Sequence, residues 1–100
     1  MGEIEVGDYI VEWDDEKAAK NVKKHMVYFE DAARIFLDED RVEIFDELHS
    51  DFEERWKVIG LVRNVLVVIY TERGEKYRLI SARKAISEEV DEYYGQYQDL

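Results

Sequence analysis

Residues 55–82 decide the fold, and they read RWKVIGLVRNVLVVIYTERGEKYRLISA. Three segments rich in β-branched and aromatic residues, at 55–62, 65–71 and 77–82, are separated by short turn-like stretches. Asn64 tolerates the left-handed backbone that a tight hairpin turn needs, so the first two segments are expected to join at Arg63-Asn64. The sequence therefore predicts three consecutive strands in an antiparallel meander.

The chain before the meander shows first helical and then alternating periodicity. The predicted elements are, in order, a strand at 9–13, helices at 14–25 and 29–37, a strand at 41–44 and a polar loop at 46–53. Asp14 is a typical helix N-cap residue, and two acidic residues follow it at the positive end of the helix dipole. In the second helix, an i, i+3, i+4, i+7 stripe is formed by Phe29, Ala32, Ala33 and Phe36.

A third helix is predicted after the meander, beginning at Ser87, a typical N-cap residue that two glutamates follow. Helical spacing along one of its faces gives a stripe of Val90, Tyr93, Tyr94 and Tyr97. Tyrosine combines an apolar ring with a polar tip, so this stripe favours core packing or a partner-facing surface over a cofactor site.

The predicted fold class is α+β, because neighbouring strands are joined by hairpins and not by crossover helices. An antiparallel β-sheet, a meander, is packed with two N-terminal helices and one C-terminal helix. The 100 residues contain no proline, internal repeat or linker, so a single domain is expected over 1–100. Its core is predicted at about 9–97, with flexible ends at 1–8 and 98–100.

Charge is distributed unevenly along the chain. The sequence has 25 acidic and 14 basic residues, a net charge of −11, yet residues 54–84 carry eight basic and three acidic side chains. The overall charge speaks against a nucleic-acid ligand, whereas the local surplus is compatible with a phosphate ligand. The alternative is that solvent-facing strand residues are Lys or Arg simply because strands need polar residues on their wet side.

Several classes of protein and site are excluded by residue types that are missing. Without cysteine there is no disulfide framework, thiolate nucleophile or cysteine-based metal site, which suits a reducing cytoplasm and leads us to expect a cytoplasmic protein. The N-terminus lacks the features of a signal peptide, and the longest apolar run, 65–70, is too short to span a membrane.

No motif for a cofactor or a metal is found either. The sequence lacks a phosphate loop, a dinucleotide fingerprint, a nucleophile elbow and a paired-histidine metal motif. The acidic cluster at 38–40 lacks the spacing of a calcium loop, so a solvated turn is expected there. We therefore expect neither a metal nor another cofactor.

Two histidines and one acid–arginine pair are candidates for proton chemistry. His25 lies on the apolar stripe of the first helix, which favours a packed structural role. His49 lies in the polar loop, where both a structural and a proton-transferring role stay open. Glu54 and Arg55 form either a surface pair of little energetic value or a base beside a phosphate-binding arginine.

Arg78 and Arg83 lie five residues apart on the last predicted strand. In a regular strand such residues point to opposite faces of the sheet. They share a face only if the strand ends or bulges near Ala82, and the sequence leaves this question open.

Four segments, taken in order, resemble the successive blocks of BrnT-like toxins. They are VEWDDEKAAKNVKKH at 11–25, VYFEDAARIFLD at 27–38, DELHSDFEERWKVIG at 46–60 and VLVVIYTERGEKYRLISARKA at 65–85. The patterns W-D-x-x-K-A-x-x-N-x-x-K-H at 13–25 and I-S-A-R-x-A at 80–85 are distinctive in combination, and the resemblance covers about 10–94. Two positions depart from it: Met26 stands where the family often has a helix-ending glycine, and Tyr28 where a small polar cap is common.

The resemblance implies a ribonuclease toxin of a type II toxin–antitoxin pair with a RelE-like fold. A BrnA-like ribbon-helix-helix antitoxin would neutralise the toxin, and the complex would bind operator DNA through the antitoxin. Both a homodimer and a toxin–antitoxin hetero-oligomer are compatible with this resemblance. The implied reaction is metal-independent RNA cleavage through attack of the ribose 2′-hydroxyl on the adjacent phosphate. The alternative is a catalytically weak or inactive homologue that acts as an antitoxin-binding interaction module, as the net charge of −11 suggests.

The reaction that the resemblance implies assigns roles to the candidate residues. Proton transfer needs a base and an acid, and the phosphorane needs positive charge, for which arginine is well suited. The expected catalytic residues are His49, Glu54, Arg55, Arg78 and Arg83, and the expected RNA-binding residues are Lys57, Arg73 and Lys76.

Overall fold

A six-stranded sheet with helices on both faces is formed by residues 1–96, the part of the chain that the computed structural model describes. The elements are β1 (Gly2–Val6), β2 (Tyr9–Trp13), α1 (Asp15–His25), α2 (Phe29–Ala32), a 3-10 helix (Ala33–Leu37), β3 (Val42–Phe45), a 3-10 turn (Glu47–His49), β4 (Arg55–Val62), β5 (Asn64–Arg73), β6 (Lys76–Lys84) and α3 (Ser87–Gly95). The strand order is β1-β2-β6-β5-β4-β3, with β2 and β6 parallel and the other neighbours antiparallel.

The predicted α+β class is confirmed, as are the antiparallel meander, here β4-β5-β6, and the helices on either side of it. The meander extends outward to β3, which pairs with β4. Tyr97, predicted to end the C-terminal stripe, and the predicted end at 98–100 lie outside the described residues. Within residues 1–96, none of the helices has the length and apolar character needed to cross a membrane.

The structure places β1 where the sequence analysis expected a flexible end. Gly2–Val6 pairs antiparallel with β2 across a turn at Gly7, whose φ of +59° is the left-handed conformation that glycine adopts without strain. Gly2 pairs with Trp13, and a Cβ atom at Gly2 would lie 2.0 Å from the Trp13 indole nitrogen. The first strand therefore depends on a glycine that leaves room for the indole.

Asn21 connects α1 to the edge of the sheet. β2 pairs only with residues 76–78 of β6, so the later part of β6 has no strand beside it on that side. The buried Asn21 amide donates to the carbonyls of Ala82 (2.8 Å) and Val27 (2.9 Å), and accepts from the Ala82 N–H (3.0 Å). The side chain thus replaces a strand partner and satisfies backbone groups that would otherwise be buried unpaired.

The two faces of the sheet are covered unequally. One face packs against α1, α2 and the 3-10 helix to form the larger apolar core, which includes Phe29, Phe36 and Leu79. Within residues 1–96, the helix on the other face is α3, which meets the sheet through a small cluster around Ile59 and Tyr93. Much of the second face is therefore left open beside α3.

The β4–β5 turn and the cap of α3 differ from expectation, and the end of α1 has an unusual backbone conformation. Arg63 (φ +62°), and not Asn64, is the left-handed residue of the β4–β5 turn, since Asn64 already pairs with Val62 as part of β5. Met26 ends α1 in the left-handed region (φ +59°), the conformation for which the family often uses glycine. α3 is capped at Ile86, one residue before the predicted Ser87, because the Glu89 carboxylate accepts the Ile86 N–H at 3.0 Å.

Tyr28 occupies the N-cap position of α2 without a side-chain hydrogen bond to the helix. The short helix instead depends on packing, since Phe29 and Ala32 are fully buried.

Candidate functional site

A β-bulge in β6 settles how Arg78 and Arg83 are arranged. Ser81 pairs with Ile69 while Leu79 pairs with Tyr70, so one extra residue, Ile80, is inserted in β6. A bulge shifts the alternation of side chains by one residue. Arg78 and Arg83 therefore lie on the same face of the sheet, the face that carries α3.

All six basic residues that the sequence analysis proposed for RNA binding or catalysis lie on this face. The strand register places Arg55, Thr71 and Arg78 side by side across β4, β5 and β6, followed by Glu12 on β2. We call this surface the cationic sheet face; its basic residues are Arg55, Lys57, Arg73, Lys76, Arg78 and Arg83.

The basic residues nearest β1 and β2 form ion pairs with carboxylates. The Arg78 guanidinium contacts the buried Glu12 carboxylate at 2.6 Å and 2.7 Å. Lys76 donates to Glu3 at 2.7 Å. At the other side of the face, Arg73 contacts Glu53 at 3.2 Å.

Glu89, in the first turn of α3, forms ion pairs with two more of these basic residues. Its carboxylate accepts both terminal nitrogens of Arg83 (2.8 and 2.9 Å) and contacts Lys57 Nζ at 2.9 Å. The hydrogen bonds from Arg83, with further ones from the Ile86 N–H and Lys57, outweigh burial and lower the pKa of Glu89 to about 2. The same contact with Glu89 raises the pKa of Arg83.

Arg55 differs from the other five cations. Its guanidinium forms no ion pair within residues 1–96, and its Nε is buried without a hydrogen-bond partner. It lines a pocket of about 210 Å³ together with His49 and the fully exposed Phe52. An arginine with free donors beside an open pocket is suited to bind an anion.

His49 is brought to Arg55 by the loop between β3 and β4. Its Nδ1 lies 3.0 and 3.2 Å from the two carboxylate oxygens of Asp46, and its side chain is 66 % exposed. The loop is closed by Ser50, which donates to the Asp46 carbonyl and accepts the Arg55 N–H at 3.0 Å. The carboxylate therefore orients the imidazole of a residue that lines the same pocket as Arg55.

Glu54 and His25 lie elsewhere. Glu54 is exposed and lines a separate pocket with Trp56 and Glu72, while its carbonyl accepts the hydroxyl of the buried Thr71 at 2.7 Å. His25 is half-buried in a groove beside lysines of α1, and its ring forms no hydrogen bond within residues 1–96. In the same part of the chain, no group of three or more His, Asp or Glu side chains is arranged to hold a metal ion.

The family comparison matches this part of the chain. A family model described as "Ribonuclease toxin, BrnT, of type II toxin-antitoxin system" matches residues 13–89. The chain belongs to the BrnT toxin family. It is therefore one of a family of ribonuclease toxins of type II toxin–antitoxin systems, a class with an RNA target and an antitoxin partner.

The fold is similar to that of a solved BrnT toxin. The 1.1 Å crystal structure of the Brucella abortus ribonuclease toxin, BrnT, matches with a TM-score of 0.60 and 26 % sequence identity. The match covers 77 % of this chain and 96 % of the Brucella chain. No curated protein matches the sequence.

The family match includes every basic residue of the cationic sheet face but not all of its acids. It begins at Trp13, so Glu3 and Glu12 lie N-terminal to the matched region, whereas Glu53 and Glu89 lie inside it. The carboxylates that neutralise Lys76 and Arg78 therefore come from strands at or beyond the boundary of the BrnT match.

Proposed function

We propose that this BrnT-family protein is an endoribonuclease that cleaves RNA without a metal ion, on its cationic sheet face. The observation that carries the proposal is the convergence of six basic side chains on one open sheet face of a chain with a net charge of −11. A solvated strand surface needs polar residues, but it does not need six cations on one side of the sheet. Such a surface is suited to the phosphates of an RNA strand.

The proposed reaction is a transesterification within the RNA. The 2′-oxygen forms a bond to the adjacent phosphorus while the bond from phosphorus to the 5′-oxygen breaks. A base accepts the 2′-hydroxyl proton, and an acid donates a proton to the leaving 5′-oxygen. The products are a 2′,3′-cyclic phosphate and a 5′-hydroxyl end.

Arg55, Arg78 and Arg83 would stabilise the negative charge that builds up on the phosphorane oxygens. Arg55 has free donors, whereas Arg78 and Arg83 are oriented by Glu12 and Glu89. Lys57, Arg73 and Lys76 would bind neighbouring phosphates; each carries one flexible charge and contacts a carboxylate that a phosphate can displace or share.

His49 is the residue we propose for proton transfer. When Nδ1–H donates to Asp46, Nε2 is left as the acceptor of the ring, in the pocket that Arg55 also lines. Glu54 is the second candidate from the sequence, and its separate pocket makes it the weaker one.

The partner we propose is a BrnA-like ribbon-helix-helix antitoxin that neutralises the toxin and binds operator DNA for the complex. Support comes from the family, whose description includes the toxin–antitoxin system.

A second candidate function is an antitoxin-binding module with weak or no ribonuclease activity. It is favoured by the ion pairs on the cationic sheet face, where five of the six basic residues are engaged by carboxylates. A phosphate must compete with these carboxylates for the basic side chains, so these ion pairs reduce the affinity of the protein for RNA.

Cleavage of RNA by the purified protein in EDTA distinguishes the two candidates. Wild type is expected to release fragments with cyclic phosphate and 5′-hydroxyl ends, and Arg78→Ala or His49→Ala should reduce the rate at least about 100-fold. Lys84→Ala is the matched control, since Lys84 is an exposed cation at the end of the same strand and outside the cationic sheet face. Intact RNA after incubation with folded wild type would favour the binding module.

A further inference from the structure

A groove lies at the opposite end of the sheet from Arg55 and Arg78. It has a volume of about 380 Å³ and is formed by the α1–α2 connection, the β4–β5 turn and the end of β6. Three large apolar side chains on its lining are exposed to solvent: Met26 (84 %), Tyr28 (55 %) and Leu61 (43 %). Apolar side chains gathered around a concavity favour binding of another apolar surface.

The charges around this groove are positive and unengaged. Arg34, Arg63 and Lys84 line it, and within residues 1–96 none of them forms an ion pair. The one acidic residue on the lining is Asp31, which leaves a surplus of two positive charges in a chain of net charge −11. An acidic segment of a partner would complement this positive surplus.

We propose that this groove is the docking site for an acidic, amphipathic segment of the antitoxin. Apolar side chains of that segment would pack on Met26, Tyr28 and Leu61, and its carboxylates would pair with Arg34, Arg63 and Lys84. This inference rests on the proposed toxin function, because it takes the antitoxin as the partner.

Met26 and Leu61, two of the three exposed apolar side chains on the lining, are aliphatic, which favours a polypeptide over RNA as the occupant. Apolar burial against Met26 and Leu61 stabilises a complex with side chains, whereas single-stranded RNA gains most from aromatic stacking platforms. An acidic segment with apolar anchors satisfies both the charge and the apolar surface of the groove.

The groove lies far from the proposed RNA site, so antitoxin binding and RNA cleavage can be tested separately. Along β5, Asn64 at the groove and Thr71 beside Arg78 are seven residues apart, which is about 23 Å in a strand. Substitutions in the groove should therefore affect antitoxin binding without changing the RNA site, and substitutions at Arg78 should do the reverse.

The test measures antitoxin affinity by titration calorimetry, using the full-length protein encoded next to the toxin gene. The double variant Arg34→Glu/Arg63→Glu should bind on the order of 30-fold more weakly than wild type, while cleaving RNA at the wild-type rate. Arg78→Ala should retain wild-type affinity for the antitoxin. Both groove residues are exposed, and equal urea midpoints would verify that the double variant folds.

Three results would overturn the inference. Unchanged antitoxin affinity of the double variant would remove the groove from the interface. Loss of affinity in Arg78→Ala alone would place the interface on the cationic sheet face. Reduced RNA binding by the double variant, with antitoxin affinity retained, would make RNA the occupant. If wild type binds the antitoxin but never cleaves RNA, only the ribonuclease proposal fails.

Discussion

Replacing Glu89 by glutamine tests the electrostatics of the cationic sheet face most cleanly. The amide oxygen of the introduced glutamine would still accept the Ile86 N–H, so the α3 cap is kept while the negative charge is removed. Arg83 and Lys57 lose the carboxylate that both of them contact. The substitution is therefore expected to destabilise the fold and, at the same time, to free two cations for RNA.

The size of the destabilisation follows from the pKa of Glu89. A shift from 4.5 to about 2 corresponds to an upper limit of about 3 kcal/mol of stabilisation above pH 5. Because Arg83 and Lys57 are 36 % and 31 % exposed, solvent screening reduces this to about 1–2 kcal/mol. With a urea m-value of about 1.5 kcal/mol/M, the unfolding midpoint should fall by about 1 M at pH 7.

The dependence on pH identifies the carboxylate as the cause. A lowered pKa in the folded state contributes stability above the unfolded pKa of 4.5, and that contribution is lost as pH falls towards 2. The difference between wild type and Glu89→Gln should therefore be much smaller at pH 3 than at pH 7.

Urea unfolding followed by circular dichroism at pH 7 and pH 3 measures this difference. Glu88→Gln is the matched control, because Glu88 is exposed in the same turn and forms no ion pair within residues 1–96. The reasoning is refuted if the effect of Glu89→Gln is equal at both pH values, or if Glu88→Gln reproduces it. Binding of a short RNA should tighten about threefold in Glu89→Gln because a carboxylate that competes with phosphate is removed, and weaker binding would show that orientation of Arg83 by Glu89 outweighs this competition.

Three further predictions concern α1 and the loop before β4. Asn21→Ala removes three buried hydrogen bonds and should lower the free energy of unfolding in urea by about 2–4 kcal/mol. An unchanged unfolding midpoint would contradict the bridge between α1 and β6. Met26→Gly removes the strain of a left-handed backbone at an exposed position and should raise the free energy of unfolding by about 0.5–1 kcal/mol in the same measurement. A lower free energy of unfolding would mean that the methionine side chain stabilises the fold by more than the backbone strain destabilises it. Phe52→Ala should weaken RNA binding by about 1–3 kcal/mol through loss of base stacking beside Arg55, with the unfolding midpoint unchanged because Phe52 is fully exposed; equal RNA affinity would exclude a stacking role.

The meander was predictable from sequence because its signals are local. Segments rich in β-branched and aromatic residues, with Gly74 in the β5–β6 turn, specify β4, β5 and β6 within 30 residues of chain. The parallel pairing of β2 with β6 is different, since it joins Glu12 to Arg78, 66 residues away, and no local pattern encodes it. β1 was missed because its alternation is short and rich in glutamate.

The candidate site was predictable only as a set of residue types. The basic surplus was visible in the sequence, but the shared face of Arg78 and Arg83 depends on a bulge at Ile80 that no glycine or proline marks. The partner carboxylates Glu12 and Glu89 were missed because they lie on elements that meet β6 only in the folded chain. A charged residue inside the apolar strand YIVEW was the one sequence signal for Glu12.

Growth of bacteria after induced expression tests whether the protein acts as a ribonuclease toxin. Wild type, Arg78→Ala and His49→Ala are expressed to equal soluble levels, and total RNA is inspected after induction. We predict growth arrest with fragmented RNA for wild type, and normal growth with intact RNA for both variants. Normal growth with intact RNA in cells that contain folded wild-type protein would contradict it.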